Sequence, residues 1–393
     1  MQNLIKKLKL KRRGIAALAT LHFFGNPSAK LKIVGVTGTN GKTTTATLLY
    51  RIAIALGYKA GLIGTVENMI NEERVETTHT TPDPISLHKL FTKMKQAGCE
   101  YVFMEVSSHA LDQNRIAGVK FTGGIFTNLT HDHLDYHKDF AHYFRAKKRF
   151  FDSLSSGAFA LSNVDNDHGK MMLEDIKAKK YTYGFKNKAD FSEKLETNLL
   201  GSFNEYNVLA VYAAAILLGF DKDKVKKILK SITLPRGRFE HFTSPNGVLI
   251  IVDYAHTPDA LEKVFSAVKE INKTGKIISV FGCGGDRDPL KRRMMGKIGA
   301  EMSDIAIFTS DNPRNEDPEK IITEMKIDLS MNLLEKVISI VNRREAIKKA
   351  VEFARSGDTI LCAGKGHEDY QEIKGRKHHF DDMEEFKKSY GGI

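Results

Sequence analysis

Residues 34–45 read V-G-V-T-G-T-N-G-K-T-T-T, an apolar run that passes through a glycine-rich turn into a stretch of helical periodicity. Such a turn does phosphate chemistry. Glycines let several backbone N–H groups face one anion, the N-terminus of the following helix adds partial positive charge, and Lys42 supplies a full one. Thr43 then presents its hydroxyl to Mg²⁺. The spacing departs from the general phosphate loop: counting back from Gly41 and Lys42, Val36 holds the place of the first glycine, with Gly35 and Gly38 on either side. A plain turn with an incidental lysine would not bring strand, loop, lysine, threonine and helix together. Further along, Glu105 lies near the end of an apolar run, where open α/β sheets bind their ligands, and a carboxylate there suits a metal held beside phosphates. An ordinary strand-end carboxylate is the alternative. The imidazoles of His131, His133 and His137 fall in one short segment and can serve a metal or simply the surface.

These groups need a scaffold, and the pattern supplies one. Short apolar or β-branched runs at 32–37, 101–106, 124–127, 158–162, 249–252, 276–281, 304–309 and 359–363 alternate with helix-period stretches. That alternation predicts mostly parallel sheets covered by helices. Helices are expected over 43–56, closed by Gly57, and 207–218, closed by Gly219. At 393 residues the chain exceeds one ordinary core. The stretch S-I-T-L-P-R-G-R-F-E-H at 231–241 breaks both periodicities and marks a domain boundary.

Composition narrows the classes. The chain is 41% hydrophobic and 27% charged, as globular proteins are, and no run approaches the roughly 20 apolar residues of a membrane span. A net charge of +12 favours anionic partners without choosing among them. No zinc finger or aromatic-interleaved RNA motif is visible, so a nucleic-acid partner is not expected. Cys99, Cys283 and Cys362 are far apart and suggest neither a zinc site nor a disulfide framework, which fits a reducing cytoplasm. Six basic residues between Lys6 and Arg13 precede a mildly apolar stretch at 14–24, loosely like a signal peptide. That stretch is short, contains His22 and is followed by no convincing cleavage site. A basic helix capping the next domain is the preferred reading, with a membrane-surface or anionic-ligand contact as the other.

Several segments recur in a telling order: T-G-T-N-G-K-T at 37–43, T-T-P-D at 80–83, E-V-S-S-H-A-L at 105–111, T-N-L-T-H-D-H-L-D-Y-H at 127–137, D-Y-A-H-T-P at 253–258, G-C-G-G-D-R-D at 282–288, D-N-P-R at 311–314 and G-K-G-H-E at 364–368. Together they resemble the Mur ligases, relatives of folylpolyglutamate synthetases. The resemblance implies a central P-loop ATPase domain with a mostly parallel sheet at 31–233 and a C-terminal Rossmann-like α/β domain at 234–393. It makes residues 1–30 a basic remnant of the UDP-binding domain or its linker, with H-F-F-G-N-P-S at 22–28 like the linker tail. UDP would then be bound differently or through a partner, unless the sequence is a fragment.

The same resemblance implies ATP-dependent amide ligation through an acyl phosphate, with ATP and Mg²⁺ as cofactors. Gly38, Thr39, Asn40, Gly41, Lys42, Thr43 and Thr44 would bind ATP, with Asn204 on the adenine and Arg238, Asp253 and His256 brought up as the C-terminal domain closes. Thr43, Glu105 and His133 become metal ligands. Lys147, which composition alone places on a solvated basic helix face, becomes a CO₂-derived carbamate that completes the metal site; Lys42, Glu105, His133 and Lys147 are then the catalytic set. Thr80, Thr81, Ser107, Gln113 and Arg115 match positions that hold the UDP-muramoyl dipeptide, and Arg287, Asp311, Asn312, Arg314, Gly364 and Glu368 those that read the incoming amino acid. Within the family, D-N-P-R goes with meso-diaminopimelate, whose distal carboxylate Arg314 can pair bidentately. Phe239 departs from the family's usual methionine and preserves its apolar character. A Mur-type ligase acting on a precursor without UDP, or a non-catalytic nucleotide-binding subunit, are the competing functions.

Overall fold

A computed structural model describes residues 25–77, 79–130 and 134–391. The basic segment expected at 1–30 lies mostly outside the described residues, and so does His133. The chain divides into two compact units, one running to Leu199 and taking up Phe203–Pro235, the other comprising Leu200–Ser202 and Arg236–Ile393.

In the first unit the strands are β1 (Lys32–Thr37), β2 (Ala60–Ile63), β3 (Asn68–Ile70), β4 (Glu73–Val75), β5 (Tyr101–Glu105), β6 (Gly123–Phe126), β7 (Phe159–Asn163) and β8 (Lys179–Tyr183). Their order is β4-β3-β2-β5-β1-β6-β7-β8, parallel from β2 to β8 and antiparallel only at the β3 and β4 edge. Parallel strands are covered on both faces and therefore read as continuous apolar runs, which is why β1, β5, β6 and β7 stood out in the sequence. Register aligns Val36 with Glu105 and Thr37 with Phe126, so the carboxyl ends of β5, β1 and β6 lie level.

Helices cover this sheet: α1 (Lys42–Ala55), α2 (Pro84–Gln96), α3 (Phe140–Asp152) and α4 (Ser202–Leu217). One core gathers α1 and α4 against Val34, Val36, Phe103 and Leu161, and a second gathers α2 and α3 against Ile33, Val102, Met104 and Ala160. α1 stops as its sequence demands. Gly57, at φ +87°, donates to the Ile54 carbonyl while Tyr58 reaches back to Ala53. Gly219 and Phe220 close α4 in the same way, through Ile216 and Ala215.

The second unit carries β9 (Glu240–Thr243), β10 (Leu249–Asp253), β11 (Ile277–Phe281), β12 (Ile305–Phe308), β13 (Val337–Ser339) and β14 (Thr359–Ala363), ordered β13-β12-β11-β14-β10-β9 with only β9 antiparallel. A separate hairpin is formed by β15 (Tyr370–Ile373) and β16 (Arg376–His379). Three further helices matter below: α5 (Leu290–Met302), α6 (Arg343–Phe353) and α7 (Asp382–Ser389), the last two packing through Ala346, Ile347, Ala350 and Phe386. No helix among the described residues is long and apolar enough to cross a membrane.

One core residue is out of character. His88 on α2 is fully buried, and neither ring nitrogen has a hydrogen-bond partner among the described residues. Burial holds its pKa below the ordinary 6.5. The unfolded chain therefore takes up the proton first, and stability is lost as pH falls below about 6.5. Urea denaturation of a His88→Leu variant between about pH 7 and 5 should show a flatter fall of the midpoint than the parent chain; parallel falls would show that His88 does not drive it.

Candidate active site

The loop between β1 and α1 closes on itself through backbone geometry that only glycine permits at two points. A Cβ on Gly38 would lie 1.9 Å from Thr127 Oγ1, and one on Gly41, at φ +84°, would lie 2.4 Å from Asn207 Oδ1. The segment after β6 braces the loop from below. Asn128 accepts from the Asn40 N–H at 3.0 Å and donates to its carbonyl at 3.2 Å, and Thr127 donates to the same carbonyl at 2.6 Å. Thr39 N–H donates to the Asn128 carbonyl at 2.8 Å. Lys42 Nζ folds back onto the carbonyls of Gly38 and Thr39, at 3.0 and 2.7 Å. Thr44 is buried in the first turn of α1. On α4, Asn204 accepts a hydrogen bond from Asn207 at 3.2 Å, so the residue expected at the adenine and the one packed on Gly41 form a buried pair.

Glu105, at the end of β5, is 1% exposed. It accepts from Thr43 Oγ1 at 3.0 Å, Thr65 N–H at 2.7 Å and Thr65 Oγ1 at 3.1 Å. All three donors are neutral. A buried carboxylate beside a phosphate loop, met by hydroxyls and an amide rather than by a cationic side chain among the described residues, is a donor set that fits a hard divalent ion.

Around the same strand end, Thr81 donates to the Glu105 carbonyl at 2.8 Å and accepts from the Ser107 N–H at 3.1 Å. Arg115 donates to the Thr81 carbonyl at 2.8 Å and to Gln113 Oε1 from Nε and Nη2, at 3.1 and 2.9 Å. Thr80 accepts from Thr65 at 3.0 Å. The five residues expected to hold the acid substrate thus form one network joined to Glu105. Lys147 is the clear departure from composition: on α3 it is 1% exposed, not solvated, and donates to the Gly38 carbonyl at 2.7 Å while its Nζ lies 4.5 Å from the Tyr143 ring centroid. Lys148, next in sequence, turns outward to Asp152 and the Glu174 carbonyl.

In the second unit the carboxyl ends of β10, β11, β12 and β14 carry the remaining residues. Asp253 accepts from the N–H groups of Phe239 and Ala255, at 2.7 and 2.8 Å, and burial raises its pKa against the pull of Arg238. Arg238 lies over the Tyr254 ring at 4.7 Å, and His256 packs on the same ring at 4.5 Å. These three therefore cluster about Tyr254. Gly364 donates to the Asp253 carbonyl at 3.1 Å, linking that cluster to the loop after β14. There, Asn312 donates to Glu368 at 2.7 Å, and Arg314 bonds the Gly285 carbonyl at 2.7 Å and faces Glu372 at 3.3 Å. Arg287 is exposed at the rim of the loop after β11.

Sequence reading missed the groups that hold these loops. Arg292 on α5, buried, spans Glu316, Glu324 and the Gly284 carbonyl, tying the loop after β11 to the one after β12. Arg343 on α6 forms a fully buried pair with Asp382 at 2.7 and 2.8 Å and donates to the Ala363 carbonyl at 3.0 Å, directly before Gly364. Lys365, inside the quoted G-K-G-H-E segment, is 0% exposed between Asn312, Glu368 and Asp311. Partners so distant in sequence leave no spacing signal, although burial of Lys365 was open to suspicion between two glycines.

A glycine-rich loop joined to a network of hydroxyls and an arginine in one α/β unit, and a cluster of mixed charge at the strand ends of another, set the frame for comparison with known proteins. The Mur ligase middle domain matches residues 36–215, and the Mur ligase glutamate ligase domain matches 237–366. The chain belongs to the Mur ligase family. It is 53% identical to UDP-N-acetylmuramoyl-L-alanyl-D-glutamate--2,6-diaminopimelate ligase of Cytophaga hutchinsonii, over 92% of this chain and 78% of that one, and 51% identical to the protein of the same name from Parabacteroides distasonis, over 95% and 80%. A solved structure of a ligase with that name superposes with a TM-score of 0.65 at 35% identity, covering 92% of this chain and 78% of the other. Folylpolyglutamate synthase of Mycobacterium tuberculosis shares the fold, with a TM-score of 0.70 at 16% identity over 89% of this chain and 92% of the other.

Two outcomes follow from the loop supports. Gly41→Ala puts a side chain into Asn207 at a left-handed φ, and should weaken ADP binding, read by calorimetry, about tenfold or more with the circular dichroism spectrum unchanged. Arg343→Met leaves Asp382 charged and buried, so guanidinium denaturation should show a loss of about 3–5 kcal/mol; a loss within error of zero would contradict the anchoring role.

Proposed function

We propose that this chain is an ATP-dependent, ADP-forming ligase that adds meso-diaminopimelate to the D-glutamate of UDP-N-acetylmuramoyl-L-alanyl-D-glutamate, in the cytoplasm. The observation that carries the reading is the place of Glu105, bonded on one side to Thr43 of the phosphate loop and on the other to the Thr81, Ser107 and Arg115 network. One strand end thus serves both anions that must meet. The relatives at about half identity bear names that state the same reaction.

The substrate carboxylate attacks the γ-phosphorus, ADP departs, and the acyl phosphate formed is attacked by the amine of the second substrate; inorganic phosphate leaves and the ammonium-derived proton is given up. Lys42 and the loop amides gather positive charge where two anions converge. Mg²⁺, when bound, neutralises the triphosphate, and Thr43, Glu105 and His133 are the residues proposed to hold it. Lys147, buried at the loop, is proposed to give up its ammonium proton and add the free amine to CO₂, releasing a second proton and turning a cation into a carbamate that offers a further oxygen ligand. Arg115 suits an acidic substrate, and Gln113 orients it through two hydrogen bonds. Asn204, Arg238, Asp253 and His256 are proposed as nucleotide contacts.

Arg287, Asp311, Asn312, Arg314, Gly364 and Glu368 are proposed to select the amino acid. Diaminopimelate ends in an ammonium and a carboxylate; lysine lacks the carboxylate and would leave Arg314 without it. Phosphate release with ATP, Mg²⁺ and the UDP-linked dipeptide should therefore depend on meso-diaminopimelate and yield the tripeptide mass, with L-lysine a poor substitute. Turnover with neither amino acid would sink the reaction. Lys42→Met should lower kcat by about 10²-fold or more.

A further inference from the structure

Lys365 follows β14 in the G-K-G-H-E loop and is completely buried. Its Nζ lies 3.4 Å from Glu368 Oε2, 3.7 Å from Asp311 Oδ1 and 3.3 Å from Asn312 Oδ1. Asp311 Oδ1 is buried and makes no hydrogen bond among the described residues. Gly364 packs on the other oxygen of the same carboxylate: a Cβ there would touch Asp311 Oδ2 at 3.7 Å. Two carboxylates therefore converge on one ammonium. We propose that Lys365 is a positioning residue for amino-acid recognition: its buried ammonium holds Asp311 and Glu368 together as carboxylates, so that the pair can accept an incoming substrate ammonium.

The charge balance is the reason. Two carboxylates and one ammonium leave one negative charge, the complement of a single substrate ammonium. Without Lys365 the two like charges oppose one another in a buried site, and one takes up a proton. Glu368 already shows the tension: burial, then Asp311, push its pKa up, while Lys365 and Asn312 pull it down. Three groups facing the pair are pushed up by burial. Tyr254 after β10 and Cys283 after β11 are pushed up to about 12, mainly by burial, and Tyr370 on β15 is also raised by burial. Arg343 on α6 stays charged, because Asp382 outweighs the cost of burial. Glu372 faces Arg314 at 3.3 Å, and His367 packs on Tyr254 at 4.8 Å.

This inference rests on the proposed amino-acid site, and the test separates the two. The full-length chain, Lys365→Met and Lys365→Arg are compared in kcat/KM for meso-diaminopimelate from about pH 6 to 9. Lys365→Met should lose activity increasingly as pH falls, up to about tenfold where an upward displacement of its acid limb by about one unit is fully expressed, recover as pH rises, and carry the loss in the KM for diaminopimelate rather than for ATP. Lys365→Arg should restore most of the profile. An acid limb in Lys365→Met that superimposes on the wild type, or an Arg variant as impaired as the Met variant, would overturn the role. Should Lys365→Met not fold, Lys365→Gln, which keeps a polar end toward Asn312, is read in the same way. Wild-type turnover is the control: its absence would count against the proposed reaction, whereas normal wild-type turnover with an unshifted variant counts against Lys365 alone.

Discussion

The register of β5, β1 and β6 governs the first unit. Val36 pairs with Glu105 and Thr37 with Phe126, so three chain segments leave the sheet at one level: the phosphate loop, the Glu105 to Ser107 turn and the Thr127 to Thr130 brace. A slip of one residue would turn Glu105 to the opposite face and separate it from Thr43. The apolar faces that fix this register, Val34, Val36 and Phe103 toward one core and Ile33, Val102 and Met104 toward the other, are thus also what places a carboxylate against a phosphate site.

The second unit meets its constraint with buried cations. Arg343 and Lys365 both lie at the end of β14 and are both fully buried, but they differ in kind. Arg343 is matched by a bidentate partner, Asp382, and spends a remaining donor on the Ala363 carbonyl, which makes it an anchor for the strand end. Lys365, a point charge with flexible donors, faces several acceptors at 3.3 to 3.7 Å and closes on none of them tightly. The first arrangement resists change, whereas the second leaves the charge of its carboxylates only partly offset.

What the sequence disclosed follows the same division. The central strands of both sheets were legible because buried strands are continuous apolar runs, while β2, β8 and β13 were not singled out, and the ends of α1 and α4 were legible because Gly57 and Gly219 supply the left-handed residue that their closing hydrogen bonds require. The hairpin of β15 and β16 was not: Arg376–His379 is wholly exposed and polar, so no alternation marks it. Lys147 shows the limit of local reading. Its neighbours are basic and aromatic, and only the approach of α3 to Gly38 decides that this lysine, rather than Lys148, turns inward. Thr65, Arg292 and Arg343 work through partners tens of residues away, and no spacing in the chain connects them.

Carboxylates recur at every functional point of this chain, and their surroundings assign them different work. Glu105 is held by two hydroxyls and an amide, which orient its oxygens without a cationic partner among the described residues, and that is the surrounding a divalent ion would suit. Asp253 is held by two backbone amides and screened by Arg238, an arrangement that orders the backbone of Phe239 and Ala255 around Tyr254. Asp311 and Glu368 share the charge of Lys365, and what remains suits one ammonium rather than a metal. Folylpolyglutamate synthase of Mycobacterium tuberculosis has this fold at 16% identity, and a fold by itself does not set which ligands are chosen. Selection therefore resides less in the strands, which fix where a carboxylate stands, than in the few donors and cations that decide how much of its charge is left for the ligand.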